Sequence, residues 1–70
     1  MKFERIRELR EQQGLSQKAV AEELGMYVTQ YRRYELGERK PEIGFLIQIA
    51  DLYGVSLDYL VGRDDAKAAR

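Results

Sequence analysis

The sequence predicts an all-α domain of five short helices. Five glycines each follow a segment in which apolar side chains repeat every three or four residues: Gly14, Gly25, Gly37, Gly54 and Gly62. Glycine adopts the left-handed backbone conformation that closes a helix without a Cβ clash, so these glycines indicate five helix ends. No segment shows the strict alternation of apolar and polar residues that is typical of a β-strand.

The first two helices are predicted over about residues 2–13 and 17–24. In the first, one narrow inward face carries Phe3, Ile6, Leu9 and Arg10. The second follows Ser16, whose hydroxyl suits an N-cap, and it turns Val20, Ala21 and Leu24 inward.

The other three helices are predicted near residues 27–36, over about 42–53, and as a short turn over 56–61. The third carries three tyrosines on one side, Tyr27, Tyr31 and Tyr34. The fourth begins just after Pro41 and turns inward Leu46, Ile49, Ala50 and Tyr53. We expect one domain over residues 1–62 and a flexible tail over residues 63–70, where the apolar periodicity ends.

The composition excludes most catalytic and metal chemistry. The chain has no Cys and no His, which removes disulfides, thiolate zinc sites and imidazole general bases. We therefore expect no enzyme, no cofactor, no metal and no small-molecule ligand. No apolar run approaches the ~18 residues of a membrane span. The N-terminus is charged where a signal peptide is apolar, so we expect a cytoplasmic protein without a membrane partner.

Charge is balanced overall but sorted along the chain. Twelve basic side chains oppose twelve acidic ones, and a net charge of zero argues against a nucleic-acid partner. Residues 27–41, however, hold four basic and two acidic side chains, whereas residues 42–70 hold three basic and five acidic. Because a partner meets one face of a domain, the local basic excess weighs more than the total.

The joint between the second and third helices is the most informative feature. Only Gly25 and Met26 separate Leu24 from Tyr27, so the two helices must cross steeply, and Ala21 is small where they approach. This spacing is typical of a helix-turn-helix, whose second helix can enter the major groove of DNA. A helical corner without a ligand would show the same spacing.

Several separated segments agree with one family in residue type and spacing. They are Gln17-x3-Ala21-x3-Gly25-x5-Tyr31-x2-Tyr34-Glu35-x-Gly37, then Arg39-Lys40-Pro41, and finally Gly54-Val55-Ser56-Leu57-Asp58-Tyr59-Leu60. Over roughly residues 3–62 the chain resembles the Cro/C1-type (Xre-like) helix-turn-helix regulators of bacteria and phages. The resemblance implies the compact five-helix, lambda-repressor-like DNA-binding fold. It also implies a homodimer that binds double-stranded operator DNA and acts mainly as a repressor.

The outer face of the third helix carries the candidate base contacts. The resemblance maps the base-reading positions of the family onto Tyr27, Val28, Thr29, Arg32 and Arg33. Arginine can hold the O6 and N7 atoms of guanine with two hydrogen bonds, and Val28 and the Thr29 methyl group suit a thymine methyl group. The alternative is a solvated charged face, bridged to Glu35 or Glu22.

Contacts to the DNA backbone are expected elsewhere, at Gln17, Lys18, Arg39, Lys40 and Gly44. Gln17 lies in the first turn of the second helix, where free N–H groups favour an anion, and the family uses a glutamine there for a phosphate contact. Arg39 and Lys40 lie in the loop after the third helix. Gly44 either lets DNA approach the fourth helix or is simply a loose helix start.

Two charged residues are assigned a structural role. Arg10 lies on the inward face of the first helix, where a charge needs a partner, and Glu35 is the candidate. Similar family members pair an arginine and a glutamate at these places, so we predict a structural ion pair. Tyr27 stands where the family has a capping Ser or Thr. Either Thr29 caps a later start of the helix, or Tyr27 stacks on sugar or base.

The C-terminal end of the domain is more apolar than one short turn can bury. In the family this end forms the two-fold contact, so the expected dimer interface comprises Val55, Leu57, Tyr59, Leu60 and Val61. The alternative is that all five cover the core of a single chain.

The sequence therefore predicts a sequence-specific DNA-binding regulator. The favoured role is a homodimeric repressor that inserts its third helix into the major groove of a palindromic operator. Two alternatives stay open. One is an antitoxin or a restriction-system controller with the same DNA-binding fold, and the other is a protein-interaction adaptor that has lost DNA binding.

Overall fold

In the computed structural model, residues 4–63 are described, and they form an all-α fold of five helices. The helices are α1 (Glu4–Gln12), α2 (Gln17–Glu23), α3 (Val28–Leu36), α4 (Ile43–Tyr53) and α5 (Leu57–Leu60). Each overlaps a helix that the sequence predicts, so the predicted fold class is confirmed. Phe3 and the tail beyond Arg63 lie outside the described residues.

Short local signals set the ends of the helices. The Ser16 hydroxyl accepts a hydrogen bond from the Ala19 N–H at 3.0 Å, and it caps α2 as expected. Ser56 caps α5 in the same way, because its hydroxyl accepts from the Tyr59 N–H at 3.0 Å. Gly37 closes α3 with a φ of 77°, a left-handed conformation that side chains with a Cβ rarely adopt.

The joint between α2 and α3 is a tight turn. Gly25 has a φ of 69°, and the Met26 N–H donates to the Ala21 carbonyl at 3.0 Å. Ala21 is buried, as expected for a small residue where two helices approach closely. The two helices therefore form a helix-turn-helix, in which α3 is the second helix.

One apolar core joins all five helices. Within it the Tyr34 ring stacks on the Phe45 ring, with centroids 4.1 Å apart. The buried apolar side chains are Ile6, Leu9, Val20, Ala21, Tyr31, Tyr34, Phe45, Leu46, Ile49, Ala50, Val55, Tyr59 and Leu60. The core therefore covers one face of α3 and leaves the opposite face outside.

One tyrosine lies differently from the sequence prediction. Tyr27 is 78% exposed, because it precedes α3 in an extended conformation and is not part of the helical face of Tyr31 and Tyr34. Tyr53 ends α4 and packs against the core as predicted, and Phe45, which the sequence did not assign to the inner face, is buried on that helix.

Three residues of the expected dimer interface contribute to the core, which is the alternative that the sequence left open for them. Val55, Tyr59 and Leu60 are buried in the core of a single chain. The Arg5 guanidinium lies 4.2 Å from the centre of the Tyr59 ring, which further covers it. A single helical turn can close the end of the core only by turning most of its apolar side chains inward. Leu57 and Val61 keep part of their surface outside.

A buried carboxylate connects α1 to α3. The Glu35 side chain is 3% exposed, and the Arg10 side chain is 14% exposed. Arg10 Nε donates to Glu35 Oε2 at 2.7 Å, and Arg10 Nη2 donates to Glu35 Oε1 at 3.2 Å. The Tyr31 hydroxyl also donates to Glu35 Oε2. The ion pair that the sequence predicts is thus present, and Tyr31 has a partner for its hydroxyl.

Arg10 also fixes the turn after α1. Its Nη1 donates to the Leu15 carbonyl at 2.9 Å. One guanidinium therefore ties α1 both to α3 and to the segment that leads into α2. These simultaneous contacts require the planar guanidinium group with its several N–H donors, which lysine lacks.

Removal of the Arg10 charge is expected to destabilise the domain severely. Arg10→Met keeps most of the side-chain volume but leaves the Glu35 carboxylate buried without its cation, which costs about 3–5 kcal/mol. The matched control is Arg7→Met. Arg7 pairs with Glu11 at 3.0 Å, but the side chains are 65% and 54% exposed, and such pairs contribute about 0.2–1 kcal/mol.

Urea unfolding followed by circular dichroism measures both variants. We expect Arg10→Met to lose most of the unfolding free energy and Arg7→Met to stay near the wild type. Equal, small losses in the two variants would contradict a structural role for the buried pair.

The pKa of Glu35 predicts how stability depends on pH. Burial raises the pKa of this carboxyl, but hydrogen bonds from Arg10, Tyr31 and Gln17 outweigh burial and bring it below its ordinary value of 4.5. A pKa that is lower in the folded state adds stability above the unfolded-state pKa, and this stability is lost as pH falls through the folded-state pKa.

We therefore expect thermal stability to decline as pH falls below about 4.5. Glu35→Gln should have a shallower acid decline than the wild type, whatever its absolute stability. Glu11→Gln serves as the control for the loss of one acidic side chain, because Glu11 is exposed. Calorimetry between pH 7 and pH 2.5 measures the three slopes, and an unchanged slope in Glu35→Gln would refute this role.

Candidate nucleic-acid interface

The outer face of α3 carries the residues that the sequence assigns to base contacts. Thr29, Arg32 and Arg33 are exposed, while Tyr31 and Tyr34 are buried on the opposite face. Val28 is half-buried against the apolar core. The face therefore presents two guanidinium groups and one hydroxyl group, with a partly accessible apolar side chain at its start.

Tyr27 occupies the N-cap of α3 but makes no side-chain cap hydrogen bond. The helix nevertheless begins directly after it, at Val28, so Thr29 is not the cap. The Tyr31 N–H donates to the Tyr27 carbonyl at 3.1 Å and closes the first turn. The Tyr27 ring is exposed directly before α3, and a flat, exposed aromatic surface can stack.

Arg32 is held by a hydrogen bond that the sequence did not indicate. Its Nε donates to Gln17 Oε1 at 3.2 Å, and Gln17 Nε2 in turn donates to Glu35 Oε1 at 3.3 Å. The bridge to Glu35 that the sequence left open for Arg32 is therefore indirect, through Gln17. Gln17 and Arg32 are fifteen positions apart in the sequence, and no local pattern signals such a contact.

This arrangement bears on the phosphate contact expected of Gln17. Its side-chain oxygen and one amide hydrogen are used inside the chain. The second amide hydrogen and the main chain remain for an anion. Gln17 lies at the first position of α2, next to Ser16, so it sits at the edge of the face that α3 presents.

The basic residues after α3 are exposed. The Arg39 guanidinium lies 5.7 Å from the centre of the Tyr34 ring, and its Nη2 is 4.0 Å from Glu42 Oε1. Lys40 is exposed in the same loop, and Lys18 is exposed on the first turn of α2. Arg39 therefore has an acidic neighbour that a phosphate group would have to displace.

Gly44 is the second residue of α4 and is exposed. A Cβ atom built at this position would meet no heavy atom within 4 Å. The fold itself therefore does not require glycine at position 44. The structure leaves room there for an approaching molecule.

The described part of the chain shows neither a metal cluster nor a membrane span. Across residues 4–63, no group of three or more acidic side chains could hold a metal ion. None of the helices within that range is long and apolar enough to cross a bilayer.

Comparisons with known proteins agree with this geometry. A family model described as helix-turn-helix matches residues 6–60. The transcriptional regulator ImmR of Bacillus subtilis is 38% identical over 61 residues, which cover 87% of this chain and 48% of that protein. The transcriptional regulator AnsR of the same species is 36% identical over 67 residues, which cover 96% of this chain and 58% of that protein.

A phage protein is also among the similar sequences. The CTXphi transcriptional repressor RstR from Vibrio cholerae is 38% identical over 60 residues, which cover 86% of this chain and 54% of that protein. The chain thus spans about half the length of the curated relatives it matches. No solved structure gives a significant match.

Proposed function

The chain belongs to the Cro/C1-type helix-turn-helix family, and on this premise we propose that it binds DNA in a sequence-specific manner and regulates transcription. The proposal extends to a repressor, in line with the printed name of the phage relative RstR. The third helix, α3, enters the major groove, and the loop after it contacts the DNA backbone.

The observation that carries this proposal is the division of α3 into two faces. Tyr31, Tyr34 and Glu35 fix the inner face to the core. Arg32 and Arg33 point away from it and are exposed. A helix whose polar face stands free, and whose position is fixed by a buried ion pair, can meet the edges of bases without a costly rearrangement.

We further propose that two copies bind one palindromic site. Two-fold symmetry would place two α3 helices about 34 Å apart, which is one turn of DNA. Because Val55, Tyr59 and Leu60 are buried, the exposed apolar surface around α5 comes from Leu57 and Val61. Ile43 and Ile47, which the sequence analysis missed, add exposed apolar surface one turn apart on α4.

Substitution of the two outer arginines should remove sequence preference. A duplex pool of random sequence first yields a preferred site, and fluorescence anisotropy then compares that site with single-base variants. Each of Arg32→Ala and Arg33→Ala should lose about 1–3 kcal/mol of discrimination at the base pair that it reads. Both side chains are exposed, so the folds of the variants should stay intact.

Lys40→Ala is the matched control for this experiment. It should weaken binding to all sequences alike and should lower the slope of log affinity against log salt by about 0.9. Undiminished discrimination in both arginine variants would contradict the base-reading assignment. If the wild type selects no sequence at all, the adaptor alternative takes its place. A complex of two chains per duplex supports the homodimer, and one chain per duplex contradicts it.

Gly44→Ala tests separately whether glycine at this position serves stability or DNA affinity. Alanine is favoured over glycine in a helix by up to about 1 kcal/mol, and no neighbour obstructs the new methyl group. We expect the variant to unfold at equal or higher urea concentration than the wild type. If DNA backbone approaches this turn, affinity for every duplex should fall. Higher stability with unchanged affinity would remove Gly44 from the interface.

A further inference from the structure

We infer that Gln17 is a positioning residue that holds the Arg32 guanidinium in one orientation for base reading, with the buried Glu35 carboxylate as its anchor. The inference rests on the proposed function, because Arg32 is a candidate base contact. It assigns Gln17 a part in specificity that differs from the phosphate contact expected from the family resemblance.

The chemistry of the three groups fixes the direction of the Gln17 amide. An ionised carboxylate only accepts hydrogen bonds, and a guanidinium only donates them. Gln17 meets Glu35 with its Nε2 at 3.3 Å and Arg32 with its Oε1 at 3.2 Å. A flipped amide would place acceptor against acceptor and donor against donor. An uncharged side chain with one donor end and one acceptor end is therefore what this bridge requires.

The anchor of the bridge is buried and hydrogen-bonded on both carboxylate oxygens. Glu35 is buried and accepts hydrogen bonds from Arg10 and Tyr31 as well as from Gln17. The carboxylate therefore cannot turn toward Arg32 without breaking contacts in the core. The Gln17 amide, hydrogen-bonded to this carboxylate, in turn holds the Arg32 side chain, which is exposed to solvent.

The hydrogen bond to Gln17 determines which nitrogens of the Arg32 guanidinium remain available to a ligand. It uses the Nε–H, so the N–H groups on the two terminal nitrogens are the ones left for acceptors on a base. An exposed arginine otherwise loses much rotamer freedom on binding, and a side chain that is already oriented loses less. Among the described residues, the Arg33 side chain has no comparable bond, although it is the neighbour of Arg32 on the exposed surface of α3.

A pair of double-mutant cycles tests this role. Gln17→Met keeps the length of the side chain and removes both hydrogen bonds. The measured quantity is the preference for the selected duplex over a duplex with the base pair read by Arg32 replaced. In the wild-type background, Gln17→Met should lower this preference about three- to tenfold. In an Arg32→Ala background it should lower it no further.

The Arg33→Ala background is the matched control. There, the preference at the base pair read by Arg32 should still fall about three- to tenfold when Gln17→Met is added, because the two changes are independent. If Gln17 acts only through a phosphate, the variant lowers affinity equally on both duplexes and does so in the Arg32→Ala background too. That result would overturn the inference while leaving the proposed function in place.

A measurement without DNA distinguishes failure of the Gln17–Arg32 bridge from failure of the proposed DNA-binding function. In nuclear magnetic resonance spectra of the free chain, the Nε–H proton of Arg32 should exchange with water more slowly than that of Arg33. Gln17→Met should make the two rates similar. Equal rates in the wild type would overturn the bridge itself. A chain that shows the rate difference but binds no duplex would instead refute the proposed function, and with it the role of Gln17 in base reading.

Discussion

The buried carboxylate of Glu35 is the constraint on which the rest of the structure depends. An ionised group inside a small domain must be paired and hydrogen-bonded, or it costs more free energy than such a domain can supply. Arg10 from α1, Tyr31 from α3 and Gln17 from α2 all donate to it. Satisfaction of one side chain therefore fixes the relative positions of three helices.

The same carboxylate lies at the boundary between the core and the candidate interface. On its inner side stand Arg10 and Tyr31, which hold α3 in place. On its outer side stands Gln17, which leads to the exposed Arg32. Stability and the proposed base reading thus share one hydrogen-bonded network but use different members of it. Changes at exposed positions of α3 can alter the surface without disturbing the ion pair.

Local signals made most of the fold predictable from the sequence. Ser16 and Ser56 mark helix starts because a hydroxyl satisfies a free N–H at a helix end, and Gly25 and Gly37 mark ends because their backbone is left-handed. The Arg10–Glu35 pair could be predicted because a charge on the inward face of a helix needs a partner. The family resemblance identified Glu35 as that partner.

The residues that the sequence misplaced depend on longer-range geometry. Tyr27 shares a helical spacing with Tyr31, but the helix starts one residue later, so the spacing does not apply. Tyr59 and Leu60 looked like surplus apolar surface because the space left at the end of the core is not visible in a sequence. The bridge from Gln17 to Arg32 depends on the crossing of α2 and α3, which spacing alone does not specify.

Native-state hydrogen exchange tests the central claim, that the Glu35 network unites α1 and α3 into one structural unit. Exchange of main-chain amide protons is followed in the free chain at low urea concentrations. We expect four amides next to the network, Leu9 and Arg10 in α1 and Tyr34 and Glu35 in α3, to exchange at one common free energy equal to that of global unfolding. Exchange of the α1 amides through an opening that leaves α3 protected would contradict the account.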